Sequence, residues 1–396
     1  MTNKEKYKVV HMVTVAESVG LMKGQLGYLK NAGFDVIVIS SPGERLYRAG
    51  WEENVNIKAI KMERTISPFK DLISLFKILG FFAELKPQIC NAGTPKAGLL
   101  GMIAAWFTRV PFRIYTIRGL AFEGESGFKR KLLMFTEKVA CACAHKVICI
   151  SPSIEKVALN LKLTTKDKAI VFGEGSSNGL QLEKYEYNEI IDRKVKEIKN
   201  KYCLEAYGFI VGYVGRINNF KGIKELIEAF EILQKEYPNI ALLLVGRKEK
   251  KDPIDEKVEE KIANNPNIFE IGHVSDPIPY YYVMDILAFP TYREGFGNVS
   301  IEAQATGTPV VTTNVTGAVD TIINNETGIL VAVKDVTGLK NAIEKFIKNP
   351  KLIREMGKKG KERAFEKFDS RIIWESLERL YTENISSNQN TKNVML

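Results

Sequence analysis

The chain has 396 residues, of which 45% are hydrophobic and 26% charged, and its formal net charge is +10. The length suits two domains of ordinary size, and the composition is that of a soluble globular protein. No apolar run reaches the roughly 18 residues that a membrane-spanning helix needs, and the polar N-terminus passes directly into a strand. We therefore expect neither a membrane span nor a signal peptide.

The positive charge is concentrated in the first half of the chain. Residues 1–180 contain 26 Lys and Arg against 15 Asp and Glu, an excess of 11, whereas the rest contains 31 basic and 32 acidic residues. Nucleic acid, an anionic membrane or an anionic acceptor could each be the partner of such a surface. The chain has no DNA- or RNA-binding signature and no basic–aromatic repeat, so nucleic acid is the least favoured of the three.

The five cysteines are odd in number and lie in apolar or helical surroundings, which indicates a reducing compartment. Cys141 and Cys143 stand near His145, but a second pair at metal-ligand spacing is missing. No Asp-x-Asp pair occurs either. We expect no metal and no other cofactor, so a bound diphosphate would be neutralised by basic side chains and backbone dipoles.

The first half alternates apolar runs with helical segments, the pattern of a parallel, doubly wound α/β sheet. Strands are predicted at 7–15, 34–40, 57–61, 88–91, 112–116, 146–151 and 169–172. Between them, the main predicted helices cover 22–31, 69–85, 93–107 and a segment that starts at Phe128.

Two of these helices combine apolar and basic residues. The apolar stripe of the helix over 69–85 is most simply explained by packing on the sheet. The helix that starts with Phe128-Lys-Arg-Lys-Leu-Leu-Met-Phe135 could dock on an anionic lipid surface, and a solvated charged face explains it almost as well.

A break in periodicity at Gly173-Glu-Gly-Ser-Ser-Asn-Gly179 marks the predicted domain boundary. The first domain would cover 1–177 and the second 178–370. A C-terminal helix is predicted at 371–386, and a disordered tail at 387–396. Within the second domain, strands are predicted from Phe209 and at 240–246, 268–272, 286–289, 310–313 and 327–331.

Two cations follow the first strand of the second domain. Arg216 stands where that strand ends, and Lys221 opens the next helix. Together with the helix dipole they would converge on one anion, which is the expected way to hold a diphosphate without a metal. His273 and Val274, after a later strand, could line the pocket of a nucleotide base.

Two carboxylates bracket a turn further along the chain. Glu294 lies in the loop before a helix, and Glu302 lies on the second turn of that helix. Gly295 and Gly297 let the backbone approach a ligand, and the free N–H groups near Asn298 favour an anion. Two acids beside an anion cradle suit a ligand with both phosphates and hydroxyls, such as a nucleotide sugar.

The spacing from Glu294 to Glu302 resembles the Glu-x7-Glu signature of the family 4 glycosyltransferases, and the resemblance covers nearly the whole chain. The chain is most similar to bacterial members that build capsule, exopolysaccharide and lipid-linked oligosaccharides. The resemblance implies the GT-B fold: two Rossmann-like domains, an interdomain cleft and a C-terminal helix that returns to the first domain.

The resemblance also implies roles for individual residues. Arg216 and Lys221 would stabilise the leaving diphosphate, Glu302 would bind the ribose, and Glu294 with the backbone of 295–298 would hold the sugar. The expected donor-binding residues are Gly215, Arg216, Lys221, Gly246, His273, Val274, Glu294, Gly295, Phe296, Gly297, Asn298 and Glu302.

On the acceptor side, the resemblance points to Gly20, Arg118 and Gly119. Many family members carry a histidine where this chain has Arg118, so the position transfers but the chemistry does not. Arg118 could grip a phosphate or a charged acceptor group with its fork of donors, or it could be an ordinary surface residue in a loop. We count it, with Arg216, Lys221 and Glu294, among the candidate catalytic residues.

The expected activity is that of a retaining, metal-independent glycosyltransferase. By resemblance, its donor is a UDP-sugar and its acceptor a polyprenyl-diphosphate-linked saccharide. The protein would be cytoplasmic and bound peripherally to the inner face of the membrane. Two alternatives remain: a UDP-sugar epimerase of the same fold, and a nucleotide-sugar-binding protein without turnover, which the departure at Arg118 leaves open.

Overall fold

The computed structural model describes residues 7–250 and 252–394, with side chains as far as residue 385. The chain divides into two compact units. Unit 1 comprises Met1–Gly179 and Ser370–Leu396, and unit 2 comprises Leu180–Asp369. The predicted boundaries, after residues 177 and 370, lie next to these divisions.

Unit 1 contains a parallel sheet of seven strands in the order β3-β2-β1-β4-β5-β6-β7. The strands are β1 (Lys8–Met12), β2 (Asp35–Ser40), β3 (Asn56–Ala59), β4 (Ile89–Gly93), β5 (Phe112–Ile117), β6 (Lys146–Cys149) and β7 (Ala169–Ile170). β1 is central: its Val9 pairs with Val36 of β2 on one side and with Ile89 of β4 on the other.

The helices of unit 1 connect these strands and cover the sheet. They are α1 (Gln25–Asn31), α2 (Glu44–Glu52), α3 (Pro68–Leu85), α4 (Pro95–Phe107), α5 (Gly127–Cys143), α6 (Pro152–Asn160) and the C-terminal α14 (Ser370–Val394). The connections through α1 and α2 step one way across the sheet, and those through α3, α4 and α5 step the other way. Because such crossovers are right-handed, the two sets lie on opposite faces.

The start of unit 1 differs from the sequence-based prediction. The first strand ends at Met12, and residues Ala16–Met22 form a 3-10 helix. Gly24, with a φ of 82°, then separates this turn from α1, so the helix predicted over 22–31 starts later. Helix α2 was not predicted, because it buries only Leu46 and Ala49 and its apolar pattern is correspondingly weak.

Helix α3 has two apolar faces, and only one of them packs inside unit 1. Its inner face buries Ser74, Ile78 and Phe82. Its outer face leaves four large apolar side chains in solvent, with exposed fractions of 77, 49, 44 and 64% for Phe69, Leu72, Ile73 and Phe76. The expectation that the apolar stripe of this helix packs on the sheet is therefore wrong for the outer face.

Helix α14 packs within unit 1. The Tyr28 hydroxyl donates to Glu378 at 2.6 Å, and the Trp374 indole donates to the Asn178 side chain at 2.8 Å. Tyr381 is completely buried, and its hydroxyl accepts from the Asn91 amide at 2.9 Å. The predicted return of the C-terminal helix to the first domain is confirmed. The helix continues through Val394, into the segment predicted as a tail, and residues 395 and 396 lie outside the described residues.

Unit 2 contains a second parallel sheet, of six strands in the order β10-β9-β8-β11-β12-β13. The strands are β8 (Phe209–Val214), β9 (Ile240–Val245), β10 (Ile268–Gly272), β11 (Ile286–Phe289), β12 (Val310–Thr313) and β13 (Gly328–Val331). The helices are α7 (Glu189–Lys201), α8 (Ile223–Glu236), α9 (Glu256–Asn264), α10 (Ile278–Val283), α11 (Asn298–Thr306), α12 (Val336–Lys348) and α13 (Pro350–Lys367). β8 and β9 are buried throughout, which explains their unbroken apolar sequences.

Candidate active site

The candidate donor site lies in unit 2, at the carboxyl ends of the neighbouring strands β8 and β11. β8 pairs with β9 on one side and with β11 on the other. The chain leaves β8 towards β9 but leaves β11 towards β12, so the two connections diverge. Ligands of doubly wound sheets bind at such a point of divergence.

Lys221 is positioned there by the close approach of two loops. Gly222 has a φ of 68°, and a Cβ atom at this position would lie less than 3.0 Å from the Pro290 carbonyl oxygen, so only glycine fits. The backbone N–H of Tyr292 donates to the Phe220 carbonyl at 2.8 Å, which joins the same two loops. As a result, the Lys221 ammonium lies 5.0 Å from the centroid of the Phe289 ring, at the end of β11.

Lys221 and Glu294 form an ion pair in which both side chains are nearly buried, with exposed fractions of 13 and 16%. Burial lowers the pKa of the Lys221 ammonium to about 7, and the charges of Arg216 and Arg293 act in the same direction. A further anion at this point would stabilise the charged form of Lys221.

Arg216 lies at the end of β8, and its side chain is less restrained than that of Lys221. Its guanidinium donates to the Glu249 carboxylate at 3.0 Å, and its side chain is 45% exposed. The Tyr213 hydroxyl donates to the Arg216 carbonyl at 2.7 Å and fixes the backbone of the turn. The structure therefore brings together Arg216, Lys221 and Glu294, which the sequence had placed in two separate motifs.

Helix α11 starts beside this group without a side-chain cap. Gly297 occupies the cap position with a φ of 86°, and no side chain accepts from the first turn. The hydroxyl of Ser300, in this turn, is buried and has no hydrogen-bond partner among the described residues. Uncapped N–H groups at a helix start carry partial positive charge, so this end of α11 can receive an anion.

Glu302, on the second turn of α11, is held by a buried tyrosine. The Tyr281 hydroxyl donates to Glu302 Oε2 at 2.7 Å. Burial raises the pKa of Glu302, and the hydrogen bond from Tyr281 partly offsets that rise. The carboxyl is therefore fixed in orientation, which suits a group that accepts hydrogen bonds from a ligand's hydroxyls.

Comparison with known proteins decides the family. Two family models match the chain, Glycosyl transferase 4-like over residues 8–151 and Glycosyl transferases group 1 over residues 194–363. The chain is also 45% identical over 375 residues to the capsular polysaccharide biosynthesis glycosyltransferase CapM of Staphylococcus aureus, a match that covers 94% of the chain and 96% of CapM. The chain belongs to the family 4 glycosyltransferases.

Two more distant similarities extend over most of this glycosyltransferase. It is 26% identical to the N,N'-diacetylbacillosaminyl-diphospho-undecaprenol alpha-1,3-N-acetylgalactosaminyltransferase of Campylobacter jejuni, across 91% of the chain and 94% of that protein. The structure of Anabaena HepE in complex with UDP and glucose superposes with a TM-score of 0.78 at 18% identity, covering 96% of the chain and 100% of HepE. The predicted GT-B fold class is confirmed.

Gly246, expected together with Gly215 to bind the donor, has a steric reason to be glycine. Gly246 has a φ of 152°, and a Cβ atom there would lie less than 3.0 Å from the Gly215 carbonyl oxygen. The ends of β8 and β9 thus touch backbone to backbone. Contact of either glycine with a donor stays a prediction.

The remaining predicted donor residues of the glycosyltransferase differ in accessibility. His273 is exposed at the end of β10, and Val274 beside it is half-buried against the core. Phe296 is only 2% exposed, and its ring packs on Phe368 with centroids 5.6 Å apart. The Phe296 side chain therefore belongs to the core, and only its backbone is placed to meet a ligand.

The predicted acceptor residues lie in unit 1, at the carboxyl edge of its sheet. The Arg118 guanidinium donates to both the carbonyl and the hydroxyl of Ser177, and its Nε has no partner among the described residues. Arg118 is therefore half-buried and hydrogen-bonded to Ser177, in the segment just before the unit boundary at Gly179. It is not an ordinary exposed surface residue. Gly119 follows it with a φ of 144°, and Gly20 lies in the turn after β1.

Sequence reasoning missed the residues that orient the predicted ones. Tyr281 holds Glu302, and Glu249 holds Arg216. In unit 1, His11 is buried beside the Tyr381 hydroxyl at 3.2 Å, and burial lowers its pKa to about 3. The tyrosine run over 280–282 was the only signal in the sequence, because the other contacts join distant segments.

Within residues 7–250 and 252–385, no three His, Cys, Asp or Glu side chains converge on a point that could hold a metal ion. All five cysteines are free thiols. The predicted independence from metal and cofactor stays a prediction.

Proposed function

We propose that this protein is a retaining, metal-independent glycosyltransferase. It transfers a sugar from a UDP-sugar to a polyprenyl-diphosphate-linked saccharide during surface polysaccharide assembly. It acts on the cytoplasmic face of the membrane, to which it binds peripherally. The names of the relatives support the two substrates: CapM acts in capsule biosynthesis, the Campylobacter protein acts on a diphospho-undecaprenol-linked sugar, and HepE binds UDP.

The observation that carries this proposal is the buried Lys221–Glu294 ion pair beside Arg216 and the uncapped start of α11. A lysine ammonium that is largely shielded from water is stabilised by a strong anionic partner. Two cations and a helix N-terminus together can balance a diphosphate, whose negative charge grows as it leaves the sugar. No divalent ion is required for that balance.

The transfer step conserves atoms and charge. The bond between the sugar's anomeric carbon and the diphosphate oxygen breaks, and both electrons go to the UDP oxygen. The acceptor hydroxyl forms the new bond on the face from which UDP departs. Its proton goes to the departing diphosphate oxygen. Lys221 and Arg216 stabilise that oxygen until the proton arrives.

The two carboxylates divide the rest of the donor between them. Glu302, fixed by Tyr281, accepts hydrogen bonds from the ribose hydroxyls. Glu294 exchanges part of its contact with Lys221 for the hydroxyls of the sugar, together with the backbone of 295–298. Binding of the donor therefore separates a carboxylate from Lys221 and puts the diphosphate in its place.

Turnover of Lys221→Ala tests the proposal. We expect kcat to fall on the order of 100-fold, because removal of one preorganised donor to a developing oxyanion has that effect in other enzymes. Lys221→Arg is the matched control, since it keeps the charge. Undiminished turnover in Lys221→Ala, or activity that EDTA abolishes and manganese restores, would refute the assignment.

The same assay separates the alternative functions. UDP release that depends on added lipid-linked acceptor supports a transferase. Isomerisation of UDP-sugar without an acceptor would point to an epimerase, and tight UDP-sugar binding without UDP release under any condition would point to a binding protein.

A further inference from the structure

The outer surface of unit 1 carries large apolar side chains that the fold does not use. Besides the four on α3, Phe128 and Phe135 of α5 are 80 and 64% exposed. We call this set the docking face: Phe69, Leu72, Ile73 and Phe76 of α3 with Phe128 and Phe135 of α5. No helix in the described part of the chain is both long and apolar enough to cross a membrane.

The docking face is one surface because its helices form one layer. Helices α3 and α5 both pack against α4, which lies between them on the same face of the sheet. Neighbouring helices are about 8–10 Å apart, so α3 and α5 are separated by about 20 Å. The outward residues of α4 between them, Leu99 and Ile103, are also apolar and half-buried.

The spacing on each helix shows that these residues point the same way. Phe69, Leu72, Ile73 and Phe76 recur at the i, i+3, i+4, i+7 positions of one helical face. On α5, Phe128 and Phe135 are likewise two turns apart. A helix that is apolar on its outer face as well as its inner face is normally covered by something.

The charges around the docking face are predominantly positive. The exposed basic side chains on its two helices are Lys70, Lys77, Lys129, Arg130, Lys131 and Lys138. The nearby carboxylates are fewer. Asp71 is paired with Lys96 at 2.6 Å, Glu63 with Lys70 at 3.1 Å and Glu125 with Lys129 at 2.7 Å. Glu137 is buried and accepts from the Tyr115 hydroxyl at 2.6 Å, and Glu84 is exposed on α3.

We infer that the docking face binds the surface of an anionic bilayer, with α3 and α5 lying in the membrane plane and their aromatic side chains inserted among the lipids. Apolar side chains surrounded by lysines match a layer of acyl chains under anionic headgroups. A second copy of the chain fits less well, because a two-fold contact would bring the same lysines face to face.

The position of the face fits the proposed acceptor, on which this inference rests. Phe69 and Phe128 lie in the first turns of their helices, and these turns follow the carboxyl edge of the sheet. The loop that carries Arg118 and Gly119 leads directly into α5. A protein resting on this face would present that loop at headgroup level, where the diphosphate of a lipid-linked saccharide lies.

Co-sedimentation with vesicles tests the inference. The double variant Phe69→Ser/Phe76→Ser should bind vesicles of phosphatidylcholine and phosphatidylglycerol at least about tenfold more weakly than the wild type, because it loses two apolar side chains from the interface. Trp51→Ser is the matched control: Trp51 is 83% exposed on α2, on the opposite face of the sheet. Its binding should not change.

Three further measurements complete the test. Lys77→Gln/Lys131→Gln should weaken binding to the anionic vesicles but not to pure phosphatidylcholine vesicles. The Phe69→Ser/Phe76→Ser variant should keep its thermal stability and its turnover of a short-chain acceptor in solution, so that loss of docking is distinguishable from loss of the proposed function. Its size in solution should equal that of the wild type.

Several results would overturn the inference. Wild-type protein that stays in the supernatant with anionic vesicles would do so, as would a double variant that binds as well as the wild type. A wild-type dimer that the double variant splits into monomers would assign the face to a second copy of the chain.

Discussion

Replacement of Gly222 by alanine tests the contact that places Lys221 in the candidate site. The residue has a φ of 68°, and its new Cβ atom would lie less than 3.0 Å from the Pro290 carbonyl oxygen. Ordinary contact begins at 3.4 Å. In the variant, residue 222 must therefore keep a left-handed backbone conformation although it now carries a Cβ atom. The two loops must also move apart.

The two penalties can be separated. A left-handed conformation costs an ordinary residue about 1–2 kcal/mol, and forcing extra volume into a packed site costs a further 1–3 kcal/mol or so. Gly272 is a matched control in the same unit, because it has a φ of 79° but a Cβ atom added there would meet no other atom within 4 Å. Gly272→Ala should therefore show the first penalty alone.

Thermal unfolding measures the difference. At about 2–4 °C per kcal/mol for a domain of this size, Gly222→Ala should lower the Tm of unit 2 by roughly 4–20 °C and Gly272→Ala by roughly 2–8 °C. Gly222→Ala should also weaken UDP binding, because Lys221 moves with the loop. Equal losses of Tm in the two variants, with UDP binding intact, would refute the idea that this contact positions Lys221.

Two other predictions concern buried hydrogen bonds. Tyr281→Phe removes the donor to Glu302, so KM for the nucleotide sugar should rise several-fold while kcat changes little; a fall in kcat with KM unchanged would contradict a role in holding the ribose. Burial raises the pKa of Glu137 to about 7, so folded unit 1 binds its proton more tightly than the unfolded chain does. Stability should therefore fall by about 3 kcal/mol as pH rises from 4.5 to 7. Glu137→Gln should remove this loss in urea unfolding, and an unchanged pH dependence would show that Glu137 is ionised throughout.

The sequence alone predicted where the strands lie along the chain and which residues follow their carboxyl ends. Apolar runs followed by Gly, Arg or Glu identify strand ends whatever the tertiary structure, so Arg216 and Glu294 were found correctly as neighbours of strands. The ion pair between Lys221 and Glu294 was not predicted. It depends on the close approach at Gly222, and no local pattern encodes which loop a glycine will touch.

The positioning residues could not be found for a similar reason. Tyr281 and Glu302 are on different helices, and only the packing of α10 beside α11 brings them together. In unit 1, Arg118 was predicted from its place after a strand, but its ties to Ser177 depend on the path of the segment before residue 180. Roles that arise from contact between distant segments require the structure.

Helix α3 shows a case in which hydrophobic periodicity cannot predict which face of a helix is buried. A pattern of apolar residues indicates which side of a helix avoids water only when the other side is polar. In α3, Ile78 and Phe82 face the sheet while Phe69 and Phe76 face outward, so the sequence alone offers two equivalent apolar faces. The sheet order removes the ambiguity, because it places α3 in the outermost layer with nothing from the described part of unit 1 above it. The described part of unit 1 leaves this outward apolar face uncovered, and we infer that anionic lipid covers it because lysines surround it.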